Sequence, residues 1–265
     1  MALRISADKD WKRLGQIDPY FGVLSNDKYK SANIHSESKL EFFASGVSHV
    51  NKVLEVLKTS CGFLPFGTAL DFGCGVGRIT GALAPHFEKV VGLDIAPGML
   101  DEAKKNALTS GLTNIEYDIS LNEERLRPEI YDFAHSYLVL QHIPTSIGEN
   151  IIRGLLNSIK IGGAGAIHFT IADAKFRPDT LVKDFVKTTP VLRSIGNILK
   201  SRPWNYPAMQ MNRYSVHKVI QIFSECHVEH FTVFRVDDWG NVGLFVFFRK
   251  ASPDAALSPW SNPVK

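Results

Sequence analysis

The stretch Ala69-Leu70-Asp71-Phe72-Gly73-Cys74-Gly75-Val76-Gly77-Arg78 decides the fold. An apolar strand runs into a loop with glycine at every second position, and residues 78–86 then read as a helix. Such a loop lets the backbone approach a ligand closely and leaves the amide groups of a helix N-terminus free to bond it. Outward from it, short strands (68–72, 89–94, 114–119, 131–137, 165–171) alternate with helices (98–110, 146–159). This alternation predicts βαβ units and a parallel sheet. Pro144 stands just before the second of those helices, and the pair Gly162-Gly163 is read as its end. A helix at 215–224 follows, then strands at 228–236 and 242–249 joined by Asp237-Asp238-Trp239-Gly240-Asn241, which predicts a closing antiparallel hairpin.

Before the sheet, Phe42, Phe43, Val47, Val50, Val53, Leu54 and Leu57 recur at helical spacing and predict a helix. The chain divides into an N-terminal cap segment (1–40), a main domain (41–250) and a flexible tail (251–265). The cap contains Asp18-Pro19-Tyr20-Phe21-Gly22-Val23-Leu24, too apolar for a free tail, and is expected to pack on the main domain. Residues 172–212 interrupt the alternation with Pro178, Pro190, Pro203 and Pro207 around a helix carrying Val191, Leu192, Ile195, Ile198 and Leu199 on one side. This insertion reads as a lid packed on the core, with contact to a membrane surface as the alternative.

At 265 residues the chain fits one large α/β domain with appended segments. Apolar residues make up 45% and charged residues 22%, and no apolar run approaches the roughly 20 residues that span a bilayer. The first fifteen residues lack the apolar core of a secretory signal, so a cytoplasmic location is expected. Cys61, Cys74 and Cys226 are widely spaced and form no CxxC pair, which predicts reduced thiols and no metal site. The net charge is +3, but residues 175–213 hold eight basic side chains against Asp179 and Asp184. That segment reads as a solvated face, with an anionic partner as the alternative.

Two carboxylates stand at strand tips. Asp94 ends the second strand, where it can accept bonds from both hydroxyls of an adenosine ribose lying across the first loop, and Asp118 ends the third, within reach of an adenine amino group. A dinucleotide fingerprint wants glycine where Arg78 stands, which argues against a nicotinamide-dependent oxidoreductase. The run from Asp71 to Gly77 resembles the first motif of the class I S-adenosylmethionine-dependent methyltransferases, and Asp94 and Asp118 match the acidic residues of their second and third. Residues 131–144 are similar to the fourth-strand motif and its loop, and 159–163 to the turn before the fifth strand.

The resemblance implies a Rossmann-like α/β fold with a seven-stranded, mostly parallel sheet and S-adenosyl-L-methionine as cofactor. It implies that Gly73, Gly75 and Gly77 cradle the methionine part, Asp94 holds the ribose, and Asp118 with Ile119 flanks the adenine. Asp71 would orient the loop or a water near the amino group, Ile95 and Met99 would touch the adenine or be plain core, and Cys74 would be a small loop residue and no nucleophile. Methyl transfer is an in-line displacement and needs a base only when the acceptor is protonated. The candidate base is His142, at the edge where strand ends form the site; a loop-shaping role is its alternative. His135 lies inside its strand among core neighbours. Tyr137 and Gln141 are candidates for cofactor or acceptor contact, and Thr170 is better placed than His168 for the acceptor. Tyr20 and Phe21 could close over the cofactor, an aromatic face attracting a sulfonium, with a hydrophobic staple for the N-terminal segment as the alternative. Tyr206, Met209, Met211, Arg213 and Tyr214 are candidate acceptor-pocket residues, since family members carry substrate-recognition elements there.

The expected acceptor is a small molecule, a sugar, sugar nucleotide or secondary metabolite, methylated on oxygen or nitrogen. RNA and protein acceptors are the alternatives. The Asn/Asp-Pro-Pro-Tyr/Phe motif of amino-methylating nucleic-acid enzymes is absent, Leu138-Val139-Leu140-Gln141 standing in its place. A noncatalytic adenosyl-binding module is the alternative from outside enzymology; the intact loop weighs against it. Oligomeric state is not legible.

Overall fold

The computed structural model describes residues 2–121, 123–173, 190–199, 203–228, 230–238 and 240–251. Helices α1 (Ala2–Ile17), α2 (Pro19–Val23) and α3 (Ser36–Cys61) precede strand β1 (Thr68–Phe72). Then come α4 (Arg78–Leu83), β2 (Lys89–Asp94), α5 (Pro97–Thr109), β3 (Ile115–Ile119), β4 (Tyr131–Ser136), α6 (Thr145–Ser158) and β5 (Ile159–Asp173). Helices α7 (Pro190–Leu199) and α8 (Val216–Glu225) and strands β6 (Phe231–Asp238) and β7 (Asn241–Arg249) complete the described chain. The strands form one sheet in the order β3-β2-β1-β4-β5-β7-β6. Only β7 runs against its neighbours.

Helix α3 starts at His35, whose Nδ1 accepts from the Ser38 amide while Ser38 Oγ accepts from the His35 amide, and it stops at Gly62 in the left-handed region. Its buried face, Phe42, Gly46, Val50, Val53 and Leu57, follows the helical repeat. One sheet face packs on α3 and α4 through Val50, Val53, Leu57, Ile79 and Leu83. The other packs on α6 and α8 through Ile152, Leu155, Leu156, Val219, Ile222 and Phe223. Each fully buried Leu or Phe contributes about 1.5–3 kcal/mol, so these two layers hold the sheet in place. A third cluster, Tyr20, Tyr29, Phe42, Val76, Ala96 and Met99, ties the N-terminal helices to the glycine loop and α5.

Three features differ from the sequence reading. The Gly162-Gly163 pair does not end α6, which stops at Ser158 and hands over directly to β5. The β4–β5 register slips between Tyr131 and Phe133, Gly162 takes φ +81°, and Lys160 bridges to Asp132 at 2.9 Å, so the pair serves a bulge. Residues 78–86 split into α4 and a 3-10 turn at Ala84–His86, where Pro85 cannot donate to the helix ladder. On α7, Ile195, Ile198 and Leu199 are exposed while Asn197 is buried, its amide donating to the carbonyls of Trp204 and Tyr206. Of the insertion and tail, 174–189, 200–202 and 252–265 lie outside the described residues.

Candidate functional site

Strand β1 sits where the sheet order reverses, with β2 on one side and β4 on the other, and a crevice forms at such a point beyond the strand C-termini. Here it is a cavity of about 550 Å³, walled by the loop after β1, the tips of β2 and β4, the first turns of α6, and Asp8, Trp11, Gly22 and Val23 of the N-terminal helices.

The loop needs its glycines for conformation and for space. Gly73 takes φ +76°, and a Cβ there would meet Val139 at 2.3 Å; a Cβ on Gly75, at φ +53°, would meet Val23 at 2.5 Å. Beneath the loop, Asp71 is buried and accepts from Thr80 Oγ1 at 2.7 Å and His135 Nδ1 at 3.0 Å. That leaves His135 Nε2 to accept from His49 Nε2–H, 3.0 Å away. Asp94 stands on the cavity wall, accepting from the amides of Gly75 and Ala96, each at 2.9 Å. Burial pushes its carboxyl up to about 6.

After β4 the chain takes a left-handed turn at Leu138 (φ +62°), a conformation costly for a branched side chain, and enters the 3-10 turn Leu140–His142. This turn is clamped from behind. Tyr214 Oη lies 2.9 Å from the Leu140 carbonyl and 3.0 Å from that of Ile143, and the Asn212 amide donates to the Gln141 carbonyl. His142 faces the cavity with its ring 4.8 Å from Trp11. Its Nδ1–H donates to the Gln210 carbonyl at 2.8 Å, which fixes the tautomer and makes Nε2, 3.4 Å from the Gln141 side-chain nitrogen, the accepting nitrogen. Tyr137 also reaches the cavity, its ring packed between His49, His168 and Phe245.

Of the residues singled out in the sequence, Gly73, Gly75, Asp94, Ile95, Met99, Tyr137 and His142 line this cavity. Asp71, Cys74 and Gly77 do not line it, and burial, with Asp94 nearby, pushes the Cys74 thiol up, away from a reactive thiolate. Asp118 is held by Arg125 Nε at 2.7 Å, and the wall beside Ile119 is made by Ser120 and Leu121. The proposed acceptor contacts sit elsewhere. Thr170 and Gln141 are buried against each other, and Tyr214 braces the turn. Arg213 pairs with Asp173, and Tyr20 bonds Glu102 and Asn106. Phe21 lies under the Lys30 ammonium. Tyr206 donates to Asp18, Arg13 to Asn205, and Ser25 to the Met209 sulfur, so residues 205–209 are strapped to the N-terminal segment. Trp11, Val23, Asn150, Ile147 and Ile151 were not singled out. The spacing of the last three marks one helical face, whereas nothing local marks Trp11 or Val23.

Residues 69–163 match the family described as "Methyltransferase domain". Over 96 residues the chain is 35% identical to the ubiquinone biosynthesis O-methyltransferase of Aliivibrio fischeri, covering 36% of this chain and 40% of that enzyme. Over 91 residues it is 32% identical to an uncharacterised RNA methyltransferase of Listeria monocytogenes, covering 34% of this chain and 20% of that protein. The chain thus spans well under half the length of these curated relatives. In three dimensions it resembles the magnesium protoporphyrin IX methyltransferase of Synechocystis, solved with bound SAH. The TM-score is 0.56 at 18% identity, covering 94% of this chain and 98% of that one, a likeness of fold.

Proposed function

We infer that this chain, a class I S-adenosylmethionine-dependent methyltransferase by its central domain, moves the cofactor's methyl group to an oxygen or nitrogen of a small-molecule acceptor. The observation that carries this reading is the pairing of Gly73 and Gly75 with Asp94 on the wall of one cavity. The residues fit the cofactor: Asp94 keeps lone pairs for two ribose hydroxyls, Ile95, Met99 and Leu121 offer an apolar slot for the adenine, and Gly73 and Gly75 leave room for the methionine chain. When bound, S-adenosylmethionine supplies an electrophilic methyl carbon on a sulfonium. The chain's own work is to orient and dehydrate. Trp11, Ile147 and Ile151 exclude water from the acceptor side, and His142 Nε2, held by its Nδ1 bond to Gln210, takes the proton of a hydroxyl or ammonium acceptor.

A small acceptor such as a sugar, sugar nucleotide or secondary metabolite suits a recessed cavity of about 550 Å³ better than a polymer does. Among the described residues no helix is long and apolar enough to cross a membrane. Calorimetric titration with S-adenosylmethionine and S-adenosylhomocysteine is the test. Micromolar binding that Asp94→Ala abolishes supports the reading, and well-folded protein that binds neither nucleoside overturns it.

A further inference from the structure

Arg78 opens α4 directly after the glycine loop and lines the cavity, yet it is only 6% exposed. Its partners are few. Nη1 donates to Ser45 Oγ at a long 3.3 Å, the guanidinium lies 6.0 Å from the Phe42 ring centre, and Nε is buried with no hydrogen-bond partner. Among the described residues no carboxylate forms an ion pair with it, and the nearby Asp71 spends its oxygens on Thr80 and His135. Burial accordingly pushes the guanidinium below its ordinary value.

A buried cation without an anion is costly, and it persists where a ligand supplies the missing charge. The neighbourhood is built for it. Gly46 on α3 faces Arg78 so closely that a Cβ would lie 2.4 Å from the Arg78 carbonyl oxygen and 3.0 Å from its Cγ, so glycine is what lets the first turn of α4, with the root of this side chain, lie against α3. The fork of a guanidinium matches a carboxylate, and a carboxylate is what the amino-acid end of the cofactor carries beyond its sulfonium. We propose that Arg78 is a cofactor-binding residue that holds the methionine carboxylate of S-adenosylmethionine. The assignment rests on the methyltransferase reading above. An acceptor carboxylate would satisfy the same chemistry and is the rival source.

The test compares S-adenosylhomocysteine with 5′-methylthioadenosine, which keeps the adenosine and sulfur but lacks the amino acid, by calorimetry on wild type, Arg78→Met and Arg78→Lys. Losing a charge-assisted bidentate contact predicts that Arg78→Met weakens S-adenosylhomocysteine about 10- to 100-fold and leaves methylthioadenosine within about twofold. Arg78→Lys, which keeps the charge and loses the fork, weakens S-adenosylhomocysteine by less and also spares methylthioadenosine. It serves as the readout if the Met variant unfolds. Equal loss of both nucleosides in a folded variant, or unchanged S-adenosylhomocysteine binding, overturns the assignment, the latter pointing to the acceptor instead. Wild type that binds neither nucleoside overturns the methyltransferase reading and this assignment with it.

Discussion

Lowering the pH from 7.5 to 5.0 is expected to weaken the fold through two histidines that the core keeps neutral. His168 is fully buried with neither ring nitrogen bonded, and burial lowers it to about 4; His49, beside His135 and Arg78, is lowered by burial to about 2. In the unfolded chain both titrate near 6.5, so at pH 5 the unfolded state binds two protons that the folded state refuses. Their stabilisation is fully present above 6.5 and is lost as the pH falls; the gap of about 1.5 pH units amounts to about 2 kcal/mol for each histidine. Asp94, raised from 3.8 to about 6, works in the opposite sense and offsets about 1.4 kcal/mol, because the folded state gains its proton first. His168→Phe keeps a flat ring against Tyr137 and Phe245 and removes one titrating group. Urea unfolding followed by circular dichroism at both pH values then isolates His168, because every other group cancels between the two proteins. The stability lost on acidification should shrink by about 2 kcal/mol in the variant. An unchanged loss would show that His168 takes up its proton in the folded state and would refute the reasoning.

Two further outcomes follow from the site. S-adenosylhomocysteine affinity should fall about tenfold per pH unit below about 6, because ribose hydroxyls bond the ionised Asp94; a flat calorimetric profile from pH 7.5 to 5 would remove Asp94 from the ribose contact. Gly73→Ala forces a Cβ into Val139 at a left-handed φ, which should cost about 1–3 kcal/mol in thermal unfolding and abolish nucleoside binding. Wild-type affinity in that variant would mean that the loop is not the cradle.

The strands, the glycine loop and Asp94 were legible because each is fixed by local chemistry. Central strands of a parallel sheet are apolar throughout, and a loop that turns with positive φ at Gly73, Gly75 and Gly77 admits few other residues. Helices α1 and α2 were not legible, since α1 is mostly polar and owes its place to α5 and the loop, contacts far away in sequence. The Gly162-Gly163 pair misled because glycine closes helices and opens bulges by the same conformational freedom. Thr170 and Gln141 were plausible acceptor contacts by position, but both are buried and the Thr170 hydroxyl donates to Gln141 Oε1. The N-terminal wall of the cavity, Trp11 and Val23, comes from how the chain wraps, which no spacing encodes.

The place of β7 has a bearing on how the chain is made. Among the described residues the strand latest in sequence is not an edge strand; it is inserted between β5 and β6 and pairs with β5 from Ala164 to Asp173. Until it arrives, β5 offers an open, largely apolar edge while strands β1 to β4, which carry the cavity, can already be in place. Nascent or nonsense-truncated chains that stop before residue 241 would carry that unpaired edge, so their failure would take the form of aggregation during synthesis before any loss of ligand binding could be seen.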